Sequence, residues 1–220
     1  GRAKHNVAAD LRGALRPRKT VHRAAVLEPE KVGQLLRDID AYEGYFPLVC
    51  ALKLAPLVFT RPTELRAAQW KEFDLEAGEW RIPAERMKMR RLVPLSRQAM
   101  SILRELQKYS GEGKYLFPSI RTEARSISDA TMLNALRRMG YQKHEMSVHG
   151  FRSIASTLLN ELGYNRDWIE RQLAHGEQDE VRAAYNYAEY LPERRKMMQA
   201  WADYLDGLRN TQQKRIREEA

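Results

Sequence analysis

The stretch SVHGFRSIASTLLNELG, residues 147–163, places a histidine and an arginine three positions apart, His149 and Arg152. At the start of a helix, this spacing puts both side chains on the same side. The opposite face is apolar and carries Ile154, Leu158, Leu159 and Leu162. An imidazole and a guanidinium beside a helix N-terminus form a favourable anion site. An isolated His-x-x-Arg is more often a chance pair on a solvated face. Other segments of the sequence are therefore needed to distinguish an anion site from such a pair.

Helical periodicity extends over most of the chain and begins at Leu27. The apolar run FPLVCALKLAPLVF at 46–59 predicts a buried helix that kinks or ends near Pro56. Another short helix is expected from Pro62, followed by helices at roughly 96–109, 129–139, 150–162, 166–174, 179–188 and 193–207. Three short strands are expected at 73–75, 79–83 and 92–95. The predicted fold class is mainly α with a small antiparallel β-sheet (α+β).

The charge balance indicates a polyanionic partner. The chain of 220 residues has 38 Lys and Arg against 29 Asp and Glu, a formal net charge of +9, and its pI is near 9.7. Residues 1–25 contain seven of these cations and one acid, and they read as an extended basic linker able to lie along phosphates. Nucleic acid is the default partner of so basic a domain, and a solubilising surface is the plain alternative.

The sequence does not support a disulfide-bonded, membrane-spanning, zinc-binding or nucleotide-binding protein. Cys50 is the one cysteine, which leaves no internal disulfide and fits a reducing cytoplasm. The apolar run at 46–59 is too short to span a bilayer, so no membrane partner is expected. His144 and His149 are five apart, whereas a shared zinc ion on one helix face needs a spacing of four. No glycine-rich phosphate loop occurs, so neither a metal nor another cofactor is expected.

Three further segments carry candidate functional residues. VFTRPTELR at 58–66 contains Arg61 and Glu64, and RMKMRRLVPLS at 86–96 contains Lys88 in a basic turn before a strand. QLAHGEQDEVRAAYNYAEY at 172–190 contains His175 and, ten residues later, Tyr185. Together with HGFRS, these parts and their order resemble the tyrosine recombinase family, of the phage, prophage and genomic-island integrase type. The resemblance runs from about Leu27 to Leu205.

The resemblance implies a catalytic domain that cuts DNA with a tyrosine and needs neither metal nor cofactor. Its implied catalytic residues are Arg61, Lys88, His149, Arg152, His175 and Tyr185. Arg61, Arg152 and His175 would stabilise the charge on the nonbridging oxygens, Lys88 would act as general acid, His149 as general base and Tyr185 as nucleophile. Glu64 would orient Arg61. We expect further phosphate contacts from the basic turn, at Arg86, Arg90 and Arg91.

The sequence departs from the family pattern at three places. Phe59 and Thr63 stand where relatives often have glycine, and both changes concern backbone shape. Tyr187 stands where relatives are often basic, so Tyr187 and Tyr190 are rival nucleophiles to Tyr185. On a helix, Tyr185 and Tyr187 lie about 200° apart, so they do not face the same phosphate.

The resemblance also implies an organisation and a setting. Residues 1–25 would be a linker from a missing N-terminal DNA-binding domain, 26–208 the catalytic domain and 209–220 a polar C-terminal tail. Expected partners are double-stranded DNA with attachment sites and other copies of the chain, as a monomer when free and a homotetramer on DNA. The expected location is the cytoplasm, at the bacterial nucleoid. Two alternatives stay open: a type IB topoisomerase-like DNA relaxer, and a DNA-binding module without catalysis.

Overall fold

The computed structural model describes residues 24–84, 91–174 and 190–218, with side chains described as far as residue 211. Within these residues it contains eight α-helices: α1 (Pro29–Ala41), α2 (Phe46–Val58), α3 (Pro62–Arg66), α4 (Arg97–Ser110), α5 (Asp129–Arg138), α6 (Gly150–Glu161), α7 (Arg166–Leu173) and α8 (Leu191–Glu218). It also contains five short strands: β1 (Phe73–Asp74), β2 (Glu79–Ile82), β3 (Arg91–Pro94), β4 (Pro118–Ser119) and β5 (Thr122–Ser126). The predicted fold class is confirmed.

The helix α2 is the centre of the core. Apart from Lys53, which forms an ion pair with Asp40, its residues are apolar, and it contacts α1, α3, α4, α5, α6 and α8, as expected for a helix that is largely buried. Pro56 does not end it: the helix continues to Val58 and stops at Phe59, whose φ of 35° is left-handed. Such a backbone costs a bulky residue about 1–2 kcal/mol. Phe59 is fully buried and packs edge-to-face on Trp201, which offsets that cost.

The first three strands form an antiparallel sheet in the order β1-β2-β3, with Trp80 opposite both Phe73 and Val93. Gly78 lies in the turn between β1 and β2 with a φ of 64°, where glycine carries no steric cost. Every residue of β3 is buried. This sheet matches the three strands that the sequence predicts.

The second hairpin, β4–β5, has no counterpart in the sequence predictions. Residues 122–126 read TEARS, and no residue of β5 is fully buried. Because it has no buried face, β5 lacks the alternation that marks a half-buried strand.

The C-terminal helix α8 is longer than the predicted 193–207, and its backbone is helical to Glu218. The apolar stripe of Trp201, Tyr204, Leu205 and Leu208 packs within the same chain, where α8 lies along α1. The predicted helix at 179–188 and most of the predicted linker lie outside the described residues. None of the described helices is long and apolar enough to cross a membrane.

Trp201 joins α8 to α2. Its ring is fully buried, and its indole Nε1 donates to the carbonyl oxygen of Pro56 at 2.9 Å. We expect Trp201→Ala to lower the free energy of unfolding by about 3–5 kcal/mol, because it opens a cavity and leaves that carbonyl unpaired. Urea denaturation measures this, with Ile120→Ala at a 76% exposed position as the control, expected to cost less than about 0.5 kcal/mol. Equal losses in the two variants would contradict this packing.

Candidate active site

Arg61 stands at the entrance of α3 because of the proline that follows it. A residue before proline is extended, and Arg61 has φ −66° and ψ 143°, while Pro62 begins the helix. Glu64, the third residue of α3, accepts the backbone N–H of Arg61 at 2.9 Å and its Nη1 at 2.9 Å. The Arg61 side chain is 37% exposed, so it is accessible to solvent while Glu64 holds its backbone and its guanidinium in place.

The Glu64 carboxylate is buried and binds a second arginine. Its side chain is 2% exposed, and Oε2 accepts Nη1 of Arg91 at 3.1 Å from β3. A buried carboxylate is tolerated when it is paired and hydrogen-bonded. Glu64 therefore fixes α3 to β3 as well as orienting Arg61.

Arg152 lies in the first turn of α6 and is also buried. Its Nη1 donates to the carbonyl oxygen of Phe59 at 3.0 Å, and its Nη2 to that of Leu173 at 2.7 Å. These carbonyls lie at the C-terminal ends of α2 and α7, where helices leave oxygens without partners inside the helix. Helix C-termini also carry partial negative charge, which favours a cation there.

Arg61 and Arg152 meet at neighbouring carbonyl groups. Nη2 of Arg61 donates to the oxygen of Ala174 at 3.0 Å, directly after the Leu173 oxygen that Arg152 binds. The two arginines are 91 positions apart in the sequence (152 − 61), yet they bind consecutive residues. Ala174 has a φ of 51°, which turns the chain at the end of α7.

Positive charge is concentrated around Glu64. Burial lowers the pKa of Arg91 to about 9, an effect that Glu64 opposes and that the charges of Arg152, Arg194 and Arg61 reinforce. Burial also lowers the pKa of Arg152 to about 10, and the charge of Arg61 acts in the same direction. At neutral pH these guanidiniums remain charged. Glu64 binds both Arg61 and Arg91, and the charges of Glu64 and Glu170 act on Arg152. Such a cluster of fixed guanidiniums is suited to binding an anion.

His149 lies at the N-cap position of α6 and is partly buried. The same helix start is packed against the end of the predicted linker: Ser147 donates its N–H and its hydroxyl to the carbonyl oxygen of Ala24, both at 3.1 Å. A Cβ at Gly150 would lie 2.7 Å from that oxygen, so only glycine fits. His149 and Arg152 are thus the N-cap and the third residue of α6, three positions apart at the helix start.

Five of the predicted functional residues lie outside the described residues: Arg86, Lys88, Arg90, His175 and Tyr185. The rival Tyr187 lies there too. Tyr190 is described; it is 38% exposed, has a φ of 55°, and directly precedes α8. The structure brings together Arg61, Arg152 and the start of α6 with His149, and Ala174 is the residue directly before His175.

Arg91 does not lie where the sequence analysis puts it. We expected a phosphate contact in a basic turn, but Arg91 opens β3 and its side chain is 5% exposed. It pairs with Glu64 instead of facing solvent. The prediction of a DNA contact at Arg91 is therefore corrected to a role inside the site.

Arg194 was missed by the sequence analysis. It is 1% exposed in the first turn of α8 and lies among exposed or half-exposed neighbours in PERRK. A run of cations indicates a solvated face, so the sequence did not predict that Arg194 is buried. One signal was present: Arg194 shares the helical spacing of the buried residues Met197, Met198, Trp201 and Leu205.

Comparison with known proteins identifies relatives of this chain by sequence. Residues 25–191 match the model described as "Phage integrase family". The chain is 44% identical over 222 residues to the integrase of Enterobacteria phage P4, covering 93% of this chain and 50% of that protein. It is 42% identical to the prophage integrase IntA of Escherichia coli K12, covering 80% and 43%. The chain thus spans about half the length of the curated relatives it matches.

Solved structures share the fold at low sequence identity. The integrase from mycobacterium phage Brujita superposes with a TM-score of 0.63 at 15% identity, over 84% of this chain and 59% of that one. A lambda integrase tetramer bound to a Holliday junction superposes with a TM-score of 0.56 at 17% identity, over 78% and 51%.

The Glu64–Arg91 pair predicts strong energetic coupling. Glu64→Gln leaves Arg91 buried without its counter-charge, which costs about 3–5 kcal/mol. Arg91→Met in the same chain removes the stranded charge and should recover part of that loss. Urea unfolding of the wild type, the two single variants and the double variant gives the coupling, expected at about 1–3 kcal/mol.

The exposed Glu105–Lys108 pair of α4, joined at 2.7 Å, is the matched control. Its coupling should stay below about 0.5 kcal/mol, because solvent screens it. A Glu64–Arg91 coupling no larger than this one would show that the buried pair does not organise the site.

Proposed function

The chain belongs to the phage integrase family, and we propose that it is the catalytic domain of a site-specific DNA recombinase that integrates or excises a mobile element. The observation that carries the proposal is the pair Arg61 and Arg152, held side by side on consecutive carbonyls beside the buried Glu64. Such fixed cations suit a phosphodiester whose charge grows in the transition state. The integrase relatives support the same activity.

In the proposed reaction, the Tyr185 hydroxyl oxygen attacks the scissile phosphorus. The bond between phosphorus and the 5′-oxygen breaks, which leaves a 3′-phosphotyrosine and a 5′-hydroxyl strand. His149 takes the proton from the tyrosine, and Lys88 gives a proton to the departing 5′-oxygen. Arg61, Arg152 and His175 stabilise the nonbridging oxygens. Attack by a 5′-hydroxyl from another strand reverses these steps and joins new partners.

Neither a metal nor a nucleotide is needed in this scheme. The arginines supply the charge that a metal ion would otherwise supply. The phosphotyrosine keeps the energy of the broken phosphodiester, so resealing needs no other energy source. Each role follows from the side chain's chemistry and its place in the family pattern.

Double-stranded DNA with attachment sites is the proposed partner, and a tetramer the proposed assembly on it. The net charge of +9 and the lambda integrase tetramer bound to a Holliday junction support this. Arg86 and Arg90 are the proposed phosphate contacts of the turn before β3. The apolar stripe of α8 is already covered by α1, so the polar tail at 209–220 is the proposed contact in trans.

A topoisomerase-like relaxer would use the same chemistry without a specific site. The integrase relatives favour the recombinase over it, and over a DNA-binding module without catalysis. Supercoiled DNA that lacks an attachment site separates the two enzymes, because only the relaxer would act on it.

Trapping of the covalent intermediate tests the nucleophile. Tyr185→Phe removes one oxygen and keeps the ring, so DNA binding should persist while the protein–DNA adduct disappears. The assay uses a nicked duplex in buffer with EDTA, since no metal takes part, and resolves the adduct on a denaturing gel. Tyr187→Phe is the matched control and should still form the adduct.

An adduct from Tyr185→Phe but none from Tyr187→Phe would move the nucleophile by two residues. If the wild type forms no adduct, or if Tyr185→Phe, Tyr187→Phe and the combination of both with Tyr190→Phe all still form it, the proposed tyrosine chemistry at this segment is wrong.

A further inference from the structure

We propose that Arg194 is a positioning residue that fixes the strand following Lys88 to the helices on either side of the segment with His175 and Tyr185. The inference rests on the proposed function, because it concerns how the general acid meets the leaving oxygen. Arg194 touches neither the DNA nor the reacting atoms in this scheme. It acts through β3.

The contacts of Arg194 join three elements. Its Nη2 donates to the carbonyl oxygen of Leu92 in β3 at 2.6 Å. Nη2 and Nε also donate to Oε1 of Gln172 in α7, at 2.6 and 3.3 Å. Arg194 itself belongs to α8, and both side chains are buried. One guanidinium thus holds β3, α7 and α8 together.

These contacts lie beside the segments that carry the predicted chemistry. Leu92 follows Lys88 by four residues, and Gln172 precedes His175 by three. Arg194 lies in the first turn of the helix that follows Tyr185 and the rival tyrosines. It therefore joins β3, which follows Lys88 in the sequence, to the helices before and after the segment that contains His175 and Tyr185.

A buried cation at this place is costly for stability alone. Among the described residues, Arg194 donates to an amide oxygen and a backbone carbonyl, which are both neutral. Burial lowers its pKa to about 10, and the charge of Arg171 adds to the effect. A methionine of similar size would fill the space without that cost. What arginine adds is a planar fork of donors with fixed directions.

Misplacement of the general acid has a distinct kinetic signature. An error of about 1 Å can slow a reaction on the order of a hundredfold. If β3 moves, Lys88 no longer meets the 5′-oxygen, and that oxygen leaves without a proton. A sulfur at the same bridging position leaves as a thiolate, which is stable near neutral pH and needs no proton. The sulfur substrate is therefore insensitive to the general acid.

The experiment compares adduct formation by the complete protein on two DNA duplexes. Both carry the junction between the element and its host chromosome, and they differ at the scissile phosphate. One has the ordinary bridging 5′-oxygen and the other a bridging 5′-sulfur. The variants are Arg194→Met and Arg194→Met with Gln172→Leu, where the second change removes the amide that the first leaves unpaired. Adduct formation is timed at saturating DNA.

The matched control is Arg195→Met. Arg195 neighbours Arg194 in α8 and binds the β1–β2 side of the sheet, at Glu79 and the carbonyl oxygen of Ala77, and its side chain is 39% exposed. It makes none of the contacts to β3 and α7 described above. Adduct formation by this variant should stay within about twofold of wild type on both duplexes, since surface changes are small in effect.

For the double variant we expect adduct formation at least about tenfold slower than wild type on the oxygen duplex and less than about threefold slower on the sulfur duplex. DNA affinity should stay within about twofold. Equal slowing on both duplexes would indicate a smaller active fraction and would overturn the proposal. So would unchanged rates, or the failure of both Arg194 variants to fold. Absence of any wild-type adduct on either duplex would instead refute the proposed function.

Discussion

The buried carboxylate of Glu64 is the constraint on which the site depends. It lies between Arg61 and Arg91 and also accepts the backbone N–H that opens α3. A buried charge has to be paired, so α3 and β3 cannot separate without a large free-energy cost. That requirement sets the direction of Arg61 and turns Arg91 inward. The single charge of Glu64 does not cancel those of Arg61 and Arg91, which suits the phosphate binding proposed for the site.

Helix ends supply the other fixed points. Arg152 binds the carbonyls of Phe59 and Leu173, and Arg61 binds that of Ala174. Phe59 and Ala174 are left-handed, so each turns the chain sharply after its helix. Phe59 stands where the family pattern quoted above often has glycine, and a left-handed backbone is one that glycine adopts at no steric cost. In this chain, packing of Phe59 on Trp201 offsets the cost of the left-handed backbone. Because Arg152 binds the carbonyl oxygen of Phe59, the position of Arg152 depends on this packing in the core.

The sequence predicts the helices and the first sheet because their apolar spacing is clear, and it indicates Arg61 and Arg152 because the family pattern contains both. It does not predict which arginines are buried. Arg91 and Arg194 lie in the runs KMRR and PERRK, where every cation resembles a solvated one, and only tertiary contacts distinguish them. The hairpin of β4 and β5 is missed because β5 is polar on both faces. Lys88, His175 and Tyr185 rest on the pattern alone.

In the proposed function, the arginines around Glu64 stabilise charge on the nonbridging oxygens. Replacing one nonbridging oxygen of the scissile phosphate by a methyl group removes that charge and keeps the tyrosine attack. The decisive measurement is the rate of adduct formation by Arg61→Ala, relative to wild type, on this neutral phosphate and on the ordinary one. We predict a loss of at least about a hundredfold on the ordinary phosphate and less than about tenfold on the neutral one. The same loss on both would contradict it.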